Sequence, residues 1–230
     1  MSPPYRSALI WLAVLVASAP FVSWSFPAVF PFAPSDWGVG RSAAEGIALD
    51  AIERLGELPE GAYVVTSTDD SSRLEYRMLE ARRAGAAGLE AGDLPERIFY
   101  WRVRVYPPGA RPTDWSYTAR ISMTGRVLSL ERGFQDGFLA PAIDEAAALS
   151  RAREFLVSEG VDLGRFELPS ARRRELEKRT DWVVRFVERE RVLGAGLPYG
   201  LEVSFAGDQL GGYRFFLDDP DQDSIDLVLR

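Results

Sequence analysis

The chain has 230 residues, 47% hydrophobic and 27% charged, with a formal net charge of −7. That balance suits a globular chain with a sizeable core and argues against nucleic acid as a partner. It contains no histidine and no cysteine, which excludes Ser-His-Asp and Cys-His triads, histidine- or cysteine-based metal sites, disulfides and CxxC redox chemistry.

The N-terminal stretch from Ser7 to Ser35 carries no charge. As a helix rising about 1.5 Å per residue, Ala8 to Phe26 is long enough for a hydrocarbon core of about 30 Å. Ala17-Ser18-Ala19 has the small-x-small form of a signal-peptidase site, but Pro20 would then be the first mature residue. The expectation is an uncleaved signal-anchor rather than a cleaved leader. Trp24 and Trp37 fall where interfacial aromatics sit at the far side of a span. Arg6 precedes the run and Asp36 follows it, so the charge bias puts the N-terminus in the cytoplasm and the folded part outside, in the periplasm or at the cell exterior.

The folded part begins with Ser42-Ala43-Ala44-Glu45, a capping-box pattern. Behind it Ala44, Ile47, Ala48, Ala51, Ile52 and Leu55 form one apolar helical stripe, stopped at Gly56. Ala62 to Ser67 reads as a short strand, and Ser71 to Arg83 as a helix with Leu74, Met78 and Leu79 on one side. Three strands follow. Phe99, Trp101, Val103 and Val105 alternate with Arg102 and Arg104. Trp115 to Met123 alternates strictly, with Ser116, Thr118, Arg120 and Ser122 on the polar side. Thr124-Gly125 turns the chain, and Arg126 to Arg132 returns as a hairpin.

The plan then restarts. Asp144 and Glu145 open a helix whose stripe is Leu149, Ala152, Phe155 and Leu156, and Gly160 ends it. Arg165 to Lys178 reads as extended. Arg179 to Leu217 reads as three more antiparallel strands, with Trp182, Val184 and Phe186, then Leu201, Val203 and Phe205, on one face. Asp218 to Asp226 is an acidic exit. AAEGIALDAIERLG corresponds to DEAAALSRAREFLVSEG, and YTARISMTGRVLSLE to LEVSFAGDQLGGYRF. The expected class is therefore α+β: a transmembrane signal-anchor over 1–35, two helix-on-meander units over 36–137 and 138–220, and an acidic tail over 221–230.

A helix followed by an antiparallel meander, twice over, resembles the PepSY-type domain. RTDW, LEVSFAGDQLGGYRFFL and the acidic Pro-containing exit, with FYWRVRVYPPG and MTGRVLSLE earlier, are similar to the region preceding the catalytic helices of some CAAX-protease and bacteriocin-processing (CPBP) intramembrane metalloproteases. The resemblance implies a location outside the membrane and a membrane-protein partner such as a protease. That family's paired-glutamate and histidine motifs have no counterpart here, since the chain has no histidine and Glu175 to Arg179 matches nothing catalytic. No catalytic, cofactor-binding or metal-binding residue is carried over.

Candidate sites each have a plainer reading beside them. Arg172, Arg173, Arg174, Lys178 and Arg179 form a basic cluster that suits anionic headgroups or, more simply, a charged strand edge. Asp218, Asp219, Asp221, Asp223 and Asp226 supply carboxylates but not the spacing of an EF-hand loop. Asp69 and Asp70 with Ser71 and Ser72 read as helix-capping chemistry. Trp101, Trp115, Tyr117, Trp182, Tyr199, Phe205, Tyr213 and Phe215 sit at strand period and read as a packed sheet face. Arg179 with Asp181 reads as an ion pair or as part of a partner surface. The functional expectation is a membrane-anchored, non-catalytic binding or regulatory module. The alternatives are the accessory part of a CPBP-type protease and a periplasmic small-molecule or peptide binder.

Overall fold

In a computed structural model the described residues are 3–29, 38–83, 85, 98–111, 116–135, 137–189 and 199–217. The chain divides into two compact units, Met1–Ser35 and Asp36–Arg230.

The first unit contains helix α1, Pro3–Val29. Among the described residues, no helix is long and apolar enough to cross a membrane. This corrects the expected transmembrane signal-anchor, and with it the single-pass location and the external placement derived from that anchor. The physical reason is where the apolar run breaks. Ala8 to Ala17 is unbroken, but ten residues rise only about 15 Å, half of a hydrocarbon core of about 30 Å. Ser18 and Pro20 interrupt the run, and the Ser18 hydroxyl turns back to donate to the Leu15 carbonyl at 3.0 Å.

The second unit is organised by one sheet. Its elements are helix α2 (Arg41–Glu53), strand β1 (Tyr63–Asp70), helix α3 (Ser72–Arg83), strands β2 (Phe99–Tyr106), β3 (Tyr117–Ser122) and β4 (Val127–Arg132), helix α4 (Glu145–Ser158), a 3-10 turn (Leu163–Arg165), and strands β5 (Ser170–Glu175), β6 (Thr180–Val187), β7 (Tyr199–Ala206) and β8 (Gln209–Leu217). All eight strands join one antiparallel sheet in the order β1-β2-β3-β4-β8-β7-β6-β5. The expectation of two separate helix-on-meander units is corrected. The halves fuse edge to edge, where Leu130 and Glu131 of β4 pair with Tyr213 and Gly212 of β8. Fusion covers two edges that separate meanders would expose.

One core runs beneath both helices. Ala44, Ala48, Ala51 and Ile52 of α2, and Ala148, Ala152 and Leu156 of α4, are buried in a single cluster with Val103, Ala119, Leu130, Val184, Val203 and Tyr213 from the sheet. Alanine at successive turns lets each helix approach the strands closely, and each fully buried large side chain contributes about 1.5–3 kcal/mol. Leu74 and Met78 of α3 are also fully buried, but they do not belong to that core.

The two halves follow the same plan in detail. Trp101, third residue of β2, donates Nε1–H to the Val39 carbonyl at 2.9 Å, two residues before α2. Trp182, third residue of β6, donates to the Ile143 carbonyl at 3.0 Å, two residues before α4. Trp101 faces Ile121, and Trp182 faces Phe205. A register shift follows Arg120 in β3 and follows Ser204 in β7. These landmarks make Arg104 equivalent to Arg185, Thr118 to Glu202, and Glu131 to Arg214. α3 has no counterpart in the second half, where β5 runs into β6.

Helix starts differ from the sequence pattern. α2 begins at Arg41 after Gly40 with no side-chain cap, so Ser42-Glu45 is not a capping box. Glu45 accepts from the Thr66 hydroxyl at 2.9 Å instead. Asp144 does cap α4, accepting from the Ala147 amide at 2.8 Å.

Candidate functional site

The sheet has one face under α2 and α4 and one turned away, here the outer face. Alternation along β2 puts Trp101, Val103 and Val105 inward, so Tyr100, Arg102 and Arg104 lie outward. The register then places Arg104 beside Thr118, Arg102 beside Arg120, Arg120 beside Ser129, and Thr118 beside Glu131. Directly opposed residues on one face have Cβ atoms about 4.5–5.5 Å apart, so this is one contiguous patch.

Its polar groups divide into used and unused. Arg102 pairs with Asp69, Nη1 to Oδ2 at 2.7 Å. The Tyr100 hydroxyl donates to Asp69 Oδ2 at 3.3 Å. Arg120 lays its guanidinium over the Tyr100 ring, 5.5 Å from the centroid. Burial raises the Tyr100 phenol above its ordinary range, and Asp69 adds to the rise while Arg120 and Arg102 oppose it. Among the described residues, four buried side-chain atoms have no hydrogen-bond partner: Arg104 Nε, Arg120 Nε, the Thr118 hydroxyl and the Ser129 hydroxyl. All four lie on this patch. Thr118 is 4% exposed and Ser129 1%. Glu131 lies beside Thr118, yet both arginine Nε atoms stay unpartnered.

The equivalent patch of the second half is closed on itself. Glu202, 3% exposed, accepts from Arg185 Nε at 2.7 Å and from Arg214 Nε at 2.9 Å. Arg185 also stacks over Phe216, 4.8 Å from the ring centroid.

A cleft of about 390 Å³ opens on the other side of the seam, lined by Arg54, Glu159, Arg165, Glu188, Val127 and Tyr213 among others. Its charges are committed within the chain. Arg54 pairs with Glu159 at 3.2 Å and Arg165 with Glu188 at 2.7 Å. Asp162 accepts from the Gly164 amide, and the Tyr213 hydroxyl donates to the Val127 carbonyl. Of the two, the outer patch is the one with unused donors.

The sequence candidates fall elsewhere. Arg172, Arg173 and Arg174 lie on β5, an exposed edge strand, where Arg173 pairs with Glu175. Lys178 is exposed as well. Arg179 is buried and structural. It holds Asp181 at 2.8 Å, donates to the carbonyls of Gln135 and Phe138, and lies over the Phe134 and Phe138 rings, tethering the connector between the halves. Ser72 donates to Asp70 at the start of α3, whereas Asp69 belongs to the arginine patch. Tyr117, Trp182, Phe205 and Tyr213 are core residues, with Trp101 packed against them. Trp115 and Asp218 to Asp226 lie outside the described residues, as does the tail over 221–230. Among the described residues, no group of acidic side chains could hold a metal ion.

Thr118, Arg120 and Ser129 were not singled out by sequence pattern. Their available signal was arginine at outward positions of two adjacent strands, which needs the register to be read.

No protein-family model, curated protein or solved structure matches this chain.

Proposed function

We propose that the chain is a non-catalytic binding module whose recognition surface is the outer face of β2, β3 and β4. One observation carries this reading: the four unpartnered buried polar side-chain atoms found among the described residues all lie on that patch. Each such group costs about 1–3 kcal/mol when left unpaired, so a fold that keeps four together is served by a ligand that pairs them. The non-catalytic half of the reading rests on the chemistry present. The patch offers guanidinia and hydroxyls, and the chain has no histidine to activate a hydroxyl and no thiol.

The test is a thermal-shift screen of the purified chain against a panel of small metabolites and peptides, run in parallel on the double variant Arg104→Met/Arg120→Met. The expected result is a compound that stabilises the wild-type chain and leaves the variant unmoved. Ligands that stabilise both equally, or turnover of a stabilising compound, overturn the reading.

A further inference from the structure

We infer that the outer patch of the first half is a carboxylate-binding site, with a ligand's carboxylate taking the place that Glu202 fills in the second half. This deepens the binding reading above and rests on it. The protein supplies its own template. In the second half a buried carboxylate on β7 is held by Arg185 from one neighbouring strand and Arg214 from the other, at 2.7 and 2.9 Å. The equivalent position on β3 is Thr118, opposite Arg104 in the same register that sets Glu202 opposite Arg185. One of the two arginines is kept, Arg104 for Arg185, while Glu131 stands where the second half has Arg214, and a hydroxyl stands where the carboxylate would be. As a result Arg104 Nε and the Thr118 hydroxyl are both buried without partners.

The first half also adds donors that the second half lacks. Arg120 stands where the second half has Ser204, and Ser129 where it has Gly212. Both contribute an unpartnered buried atom. The outer patch therefore presents two guanidinium edges and two hydroxyls on adjacent strands, with the Glu131 carboxylate beside Thr118. A planar carboxylate suits them, because guanidinium and carboxylate meet through parallel N–H to oxygen bonds. Thr118 and Ser129 are 4% and 1% exposed, so the entering group is compact. Arg102 does not take part, since Asp69 already holds it at 2.7 Å.

The experiment follows the arginine Nε–Hε resonances of the full chain by NMR at fixed ionic strength. The probes are acetate, a tripeptide with a free C-terminus, and inorganic phosphate, and Arg104→Met and Arg120→Met assign the signals. Acetate is expected to shift the Arg104 and Arg120 signals saturably, and tighter binding of the tripeptide would identify a chain end rather than a free acid as the source. Thr118→Glu is expected to move the same signals without ligand, raise Tm by about 2–4 °C, and abolish the acetate response. Should that variant fail to fold, Glu202→Thr reads the same geometry in reverse: Tm falls, and acetate restores part of the loss. Signals unmoved by either acid, a response to phosphate alone, or a response retained in Thr118→Glu overturns the inference. If the signals stay unmoved while a panel compound still stabilises wild type but not the double methionine variant, the carboxylate assignment falls and the binding surface stands.

Discussion

Arg54 and Glu159, the residues that close α2 and α4, meet across the seam with Nη2 and Oε2 3.2 Å apart. The pair joins the C-terminal ends of the two helices over the line where the half-sheets fuse. The Arg54 side chain is 53% exposed, so solvent screens the attraction. A double-mutant cycle with Arg54→Ala and Glu159→Ala is expected to give a coupling below about 1 kcal/mol, shrinking further at high salt. Urea unfolding at two ionic strengths measures it. The seam is held by its core and its ladder, and this ion pair sets only the approach of the helix ends.

The tryptophan hydrogen bonds contribute more. Trp101 and Trp182 each tie a strand to the segment entering the helix above it. Phenylalanine at either position keeps most of the ring but leaves a carbonyl without its donor. Each substitution is expected to cost about 1–2 kcal/mol in chemical denaturation. Because the two sites are distant and equivalent, their costs should add.

Two glycines separate close approach from ordinary helix propensity. A Cβ on Gly212 would lie 1.9 Å from the Leu130 carbonyl oxygen, and its φ is +104°. Gly212→Ala therefore forces apart the β4–β8 pairing that joins the halves and is expected to cost more than about 4 kcal/mol. Gly46, inside α2, has open space where a Cβ would stand, with nothing within 4 Å. Gly46→Ala is therefore expected to stabilise by about 0.5–1 kcal/mol. Thermal denaturation of the two variants checks both signs.

Legibility in the sequence followed the physics of each element. The inward sets Trp182, Val184, Phe186 and Leu201, Val203, Phe205 were readable because period two is fixed by the pleat. β5 was readable only as extended chain: Ser170 to Glu175 has no apolar alternation, since an edge strand rich in arginine buries almost nothing. The fusion of β4 with β8 left no local mark, because it depends on pairing between residues far apart in the chain. The outer patch was hidden for the same reason. Arg104 and Thr118 are ordinary polar positions until register sets them side by side and Glu202 shows what would complete them.

Tyr100 gives a pH signature for the patch. Burial raises its phenol above the ordinary Tyr range, with Asp69 adding to the shift. The folded state thus holds this proton more tightly than the unfolded chain. Its stabilising contribution is complete below the unfolded pKa of about 10 and is lost as pH rises through the folded value. Stability should fall on that alkaline limb, and Tyr100→Phe should flatten it while costing about 0.5–1.5 kcal/mol at neutral pH for the hydroxyl's lost bond to Asp69. Absorbance titration of the phenolates, paired with denaturation at several alkaline pH values, distinguishes Tyr100 from the exposed tyrosines.

One substitution made at equivalent sites separates structural from unused arginines. Arg185→Met removes a donor from the buried Glu202 carboxylate, which keeps only Arg214, and is expected to cost about 1–3 kcal/mol. Arg104→Met removes a guanidinium whose Nε has no partner. Exchanging an unpaired, partly buried cation for an apolar chain of similar length is expected to be neutral or stabilising by up to about 2 kcal/mol. Denaturant midpoints of the two variants give opposite signs on this account. A comparable loss at both positions would mean that Arg104 is held within the fold as Arg185 is, and that the first half has no place for a ligand's carboxylate.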